Sequence, residues 1–237
     1  MSNQIVTPRG LVHFDGALPK LISAVLLVAG MVAWLNHETL NLFRGWSLFF
    51  DTFSGWTGMP ASVVMSRNPE LLANIGLPPG MDIGQGLMGA LAAGGLMLAA
   101  SFAIPPANVP ARYALRAVAF FVVVPALVSL VTGISFKTDA ATHVADVFRA
   151  GYWFMLVAPV VFGLAGFILP GNLARRATLV VLALAYFYLT IPLLALFHLH
   201  VLALLGFAWA PLLNIVGKIF LFSFILIAFY GLIASAE

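Results

Sequence analysis

Six intervals of this chain run for seventeen residues or more without a formally charged side chain: 21–37, 83–111, 117–136, 150–174, 177–217 and 219–236. A water-facing surface needs charge, and a soluble domain carries roughly 25% charged residues. Here the charged fraction is 8% and the apolar fraction 62% over 237 residues. A hydrocarbon layer about 30 Å thick takes roughly 20 apolar residues as a helix. The sequence therefore predicts an all-α integral membrane protein, one polytopic domain over 1–237. Its core is a six-transmembrane-helix bundle with spans near 20–36, 83–104, 115–134, 151–169, 177–197 and 212–234.

Basic residues near span ends favour the cytoplasm. The short connectors "PPANVPARYALR" and "PGNLARRA" carry Arg112, Arg116, Arg175 and Arg176 and no acid. Both read as cytoplasmic turns, which places both termini inside a bacterial inner membrane. Nearly all the acids, including Glu38, Asp51, Glu70, Asp82, Asp139 and Asp146, then fall on the outer, periplasmic side. Arg44, Arg67, Lys137 and Arg149 fall there too and run against the trend. The first apolar segment follows Lys20 but leads into "NHETLNLF" with no small-x-small cleavage pattern, so it reads as a retained span and not a removed leader.

The outer loop 37–82 has a pattern of its own. Leu42, Trp46, Phe49, Phe53 and Trp56 recur at spacings of four and three, with Arg44, Ser47, Asp51 and Ser54 at other angles. That is an amphipathic helix, expected either in the membrane interface or across the outer ends of the bundle. The stretch after it, punctuated by Pro60, Pro69, Pro78 and Pro79, predicts a short helix between loops. In span two, Gly86, Ala90 and Gly94 follow one another at steps of four, a small-residue stripe for close helix packing or a lining for a substrate path.

Candidate chemistry gathers at the outer side. His37 ends span one; Asp139, His143 and Asp146 are spaced by four and three ahead of span four; His198 and His200 end span five. On a helix, residues two apart point about 200° away from each other, so His198 and His200 cannot serve one ligand there. Brought together, these six residues would form a polar cluster able to bind a divalent metal, ligate a haem or exchange protons. None of the spacings is a metal or haem motif: HExxH and HxxxH are missing, and with no cysteine in the chain so is CxxCH. No cofactor is required by the sequence, and metal or haem stays open. Asn214 and Lys218 form an i, i+4 pair in span six, with Lys218 either snorkelling to the headgroups or turned inward toward an acid such as Asp82. Tyr152 and Trp153 read as belt anchors, and Tyr188 and Thr190 as hydroxyls supporting the kink at Pro192.

No GxxxxGK[ST] loop and no GxSxG elbow is present, so neither nucleotide hydrolysis nor that nucleophile is encoded. The eleven Lys and Arg are scattered, with no basic run for nucleic acid. The expected partners are the lipid bilayer and other membrane proteins or further copies of the chain. Two functions fit: a non-catalytic subunit of a membrane complex or a small transporter, and, as the alternative, a membrane-embedded enzyme or a metal or haem carrier with its site on the outer face.

Overall fold

In the computed structural model, a single helix, α1 (Ala17–Trp56), runs through both the first predicted span and the predicted amphipathic helix. Residues 17–58, 61–65, 73–76, 86–105, 107–133, 140–168 and 173–234 are described. At 1.5 Å per residue, the 40 residues of α1 extend about 60 Å, roughly twice a hydrocarbon layer. No proline falls between Pro19 and Pro60 to break it. The helix runs on without a break past the predicted span end at Asn36, His37 and Glu38. Asn36, His37, Asn41, Arg44 and Asp51 are exposed there, while Leu35, Phe43, Trp46, Phe50 and Ser54 are buried.

The aromatic face is turned into the bundle. Phe43, Trp46 and Phe50 pack into the bundle against Tyr152 and Phe148 of α4 (Ala140–Ile168). Of the expected face, Trp46 is fully buried, Leu42, Phe49 and Phe53 are half-buried, and Trp56 is exposed. Tyr152, expected as a belt anchor, is also core. Its ring meets Phe43 at 5.3 Å, and its hydroxyl donates to Asn36 Oδ1 at 3.4 Å, whereas its neighbour Trp153 is exposed.

α1 closes at Gly58, whose φ of +72° suits a residue without Cβ. The buried Ser54 hydroxyl donates to the Ala61 carbonyl at 2.8 Å, fixing the return of the chain. In the stretch where a short helix is expected, the described residues form an antiparallel pair, β1 (Ser62–Met65) and β2 (Ala73–Gly76), in the register Ser62↔Gly76 to Met65↔Ala73, and 66–72 and 77–85 lie outside the described residues. Val63, Val64 and Ile75 are β-branched and favour extended backbone, and four-residue segments are too short to sustain a helix. β1 lies against α1 and β2 against α4.

α2 (Leu87–Ala103) and α3 (Val109–Thr132) form a hairpin. The predicted small-residue stripe works in two ways. Gly86 is the N-cap of α2 with φ 63°, and a Cβ there would run into the Leu205 carbonyl. Ala90 and Gly94 are buried, and a Cβ on Gly94 would strike the Val123 side chain. The arginines of the predicted cytoplasmic turn tie this hairpin together. Arg112 Nη2 donates to the Ile104 carbonyl at 2.9 Å; Arg116 Nε donates to Ser101 Oγ at 3.2 Å, with its guanidinium over the Phe102 ring.

α5 (Leu173–Leu205) runs back along α4, and a 3-10 turn at Phe207–Trp209 leads into α6 (Ala210–Ala234). Gly151 brings α4 against α5: a Cβ there would sit 2.5–2.8 Å from three carbons of Ile191. The main core joins α1, α4, α5 and α6, while a smaller one joins Ala90, Val122, Ala126 and Ala208. Large apolar side chains such as Leu96, Phe102, Val131, Leu182 and Leu204 are exposed, as lipid-facing residues would be. Four helices, Leu21–Trp56, Val109–Thr132, Ala140–Val161 and Val180–Leu205, are long and apolar enough to cross a membrane; Leu87–Ala103 and Phe207–Leu221 are shorter apolar helices. The chain is thus an integral membrane protein by these helices, helical among the described residues apart from the one hairpin.

Candidate functional site

His143 lies in the first turn of α4 and His198 in the last two turns of α5. The antiparallel packing that seats Gly151 on Ile191 brings the start of one helix to the end of the other. His143 Nε2 and His198 Nδ1 meet at 3.0 Å, a hydrogen bond across 55 residues of sequence. The ring centroids are 5.2 Å apart with planes inclined by 30°. Both rings are withdrawn from the surface, His143 at 5% and His198 at 2% exposure. Their chain neighbours Val144, Leu199 and Leu202 are fully buried, so the setting is apolar.

One imidazole must donate and the other accept at this contact. Two neutral rings satisfy it in either sense, whereas two fully protonated rings leave no acceptor. The pair thus has two neutral arrangements of the same heavy atoms, one with hydrogen on Nε2 of both rings and the other with hydrogen on Nδ1 of both.

The groups around it are few. Asp146, one turn along α4, is engaged by Arg149 Nη1 at 2.7 Å. On α6, Gly217 lies directly against His198, and a Cβ there would sit 2.9 Å from Nε2 and 3.0 Å from Cε1. Glycine at this position lets α6 close over the ring. Lys218 follows it and is exposed; Asn214, one turn earlier, is half-buried.

Of the predicted cluster, His143 and His198 come together. Asp146 stands beside them in an ion pair of its own. His200 turns away, its Nδ1–H donating to the Leu196 carbonyl of its own helix at 2.9 Å, in keeping with helical spacing. His37 is exposed on α1, its Nε2 3.9 Å from the Glu38 carboxylate. Asp139, and the Asp82 considered for Lys218, lie outside the described residues. Among the described residues no three His, Asp or Glu side chains converge as a metal site would require.

Sequence reading gave no role to Gly217 or Gly151, and it placed Trp46 on an aromatic face without its partner, the Tyr188 carbonyl. Each acts through a neighbour on another helix, and no local spacing announces such a neighbour. Against protein families, curated proteins and solved structures alike, this chain gives no match.

Proposed function

We propose that this chain is a small transporter of the bacterial inner membrane, working alone or as a non-catalytic subunit of a membrane complex, with the His143–His198 pair as its proton-handling element. The reading gives the bundle six spans, with both termini and the two arginine-bearing turns cytoplasmic. The histidine pair then stands toward the outer ends of α4 and α5.

The observation that carries it is the 3.0 Å contact between two imidazoles buried in an apolar bundle. Ionisable groups in such helices are costly and mark ion or proton pathways by default. A histidine can take up a proton on one ring nitrogen while releasing one from the other, and a fixed pair of rings extends the reach of one. A proton taken up at His143 Nδ1 releases the proton on its Nε2 to His198 Nδ1. His198 then gives up the proton on its Nε2 on the side facing α6. Both rings end with hydrogen on Nδ1, so a ring turn or proton return must reset the pair before the next passage.

The test is proton flux in proteoliposomes with a pH-reporting dye inside. His143→Gln and His198→Gln keep a polar side chain but cannot relay a proton. Each is expected to cut flux about tenfold or more, as loss of a proton-transfer group does. Flux unchanged in both variants would end the proposal.

A further inference from the structure

Between α5 and α6 lies a groove of about 440 Å³, lined by Leu193, Phe197, Leu213, Val216 and Phe220, with His198 and Gly217 at its base. We infer that this groove holds a lipid-soluble alcohol, a molecule with one hydroxyl at the end of an apolar body, its hydroxyl on His198 Nε2. The inference stands on the groove and the ring and does not require the proton-handling role.

Three features support it. Leu193, Phe197, Val216 and Phe220 are 45%, 56%, 46% and 52% exposed, so the groove opens on the side that would face lipid. Apart from Thr190 its walls are apolar, which suits a neutral molecule and penalises an ion that would have to shed its water. Finally, its polar end is a ring only 2% exposed whose Nδ1 is occupied by His143, leaving Nε2 directed to the Gly217 side. At 440 Å³ the space falls within the range of small-molecule sites.

The histidine pair decides the functional group. When His143 donates to His198 Nδ1, the neutral His198 carries hydrogen on Nε2 and needs an acceptor. When His198 donates instead, Nε2 is bare and needs a donor. A carbonyl or an ether serves only the first arrangement; a hydroxyl serves both. A side chain at Gly217 would crowd Nε2, its Cβ standing 2.9 Å from that nitrogen.

The test uses the whole protein in lipid nanodiscs and two probes: a long-chain alcohol with a photoreactive diazirine in its chain, and its methyl ether. Photolabelled peptides are mapped by mass spectrometry. The alcohol is expected to label 190–197 and 213–220 about tenfold more than the ether does, the weight of one hydrogen bond in an apolar site. Gly217→Ala, which suits a helix interior, and His198→Phe, which keeps an aromatic ring, should each abolish that difference. Equal labelling by alcohol and ether, or equal labelling of the exposed α3 residues Leu127 and Val131, would overturn the inference. Proton flux is a separate readout, so a groove that binds no alcohol leaves the relay proposal standing, and the reverse holds too.

Discussion

The indole of Trp46 donates from Nε1 to the carbonyl of Tyr188 at 3.0 Å. That carbonyl is the one Pro192, four residues on and without an N–H, cannot bond within α5. Sequence reading gave this duty to Tyr188 and Thr190. The Thr190 hydroxyl is paired with Tyr186 instead, and the carbonyl freed by Pro192 is capped from α1. One side chain thus joins the first helix to the carbonyl that proline frees in the fifth.

Trp46→Phe should therefore cost about 1–3 kcal/mol, the penalty for a buried carbonyl left without a donor plus some lost packing. Pro192→Ala restores a helical N–H. In the double variant Trp46→Phe/Pro192→Ala the cost of losing the indole should fall by about 1 kcal/mol. Unfolding in mixed micelles measures all four corners of this cycle, and strict additivity would show that the two residues are not linked.

Glycines make a second set. A Cβ at Gly151 would press on Ile191, so Gly151→Ala should destabilise by about 1–3 kcal/mol through overpacking, and Ile191→Ala in the same chain should recover part of it. Gly30, Gly89 and Gly95 meet nothing within 4 Å of an added Cβ. Alanine at those positions should be neutral, or stabilising by up to about 1 kcal/mol from helix propensity. Thermal melts in one detergent compare the two groups; similar costs in both would contradict the packing described.

The helices were legible because lipid-facing segments exclude charge, and α2, α3 and α6 begin and end within a few residues of the charge gaps or the prolines beside them. The continuity of α1 was not legible because Asn36, His37 and Glu38 look like the end of a helix as well as of a span. The period running through Leu35, Phe43, Trp46 and Phe50 shows that the buried side never changes. The hairpin was hidden by its length, since four residues such as "SVVM" carry little periodicity. Half of the histidine pair could be suspected from topology, as the start of one span and the end of the next share a side of the membrane. Which of His198 and His200 turns inward was fixed only by the pitch of α5 and by a glycine on α6, neither readable from the histidines themselves.

Orientation can be tested without background, because the chain contains no cysteine. A single cysteine at Thr57, exposed just past α1, should react with a membrane-impermeant maleimide added to intact spheroplasts. One at Ala107, exposed in the turn between α2 and α3, should react only after the membrane is opened. The reverse pattern would invert the protein and place the arginine turns outside.

The histidine pair gives the prediction that best separates structure from function. Removing one ring leaves the other's nitrogen buried without its partner, so His143→Leu or His198→Leu alone should cost about 1–3 kcal/mol. Removing both leaves no orphan, and leucine suits an apolar site. The double variant should be less destabilised than the sum of the singles by about 1 kcal/mol or more, and could approach the parent. Proton flux should follow the opposite rule, abolished in each single and not restored in the double. A double variant that is both stable and inactive would assign the pair to function. One that is stable and fully active would assign it to packing, and one that simply adds the two single costs would deny the hydrogen bond between the rings.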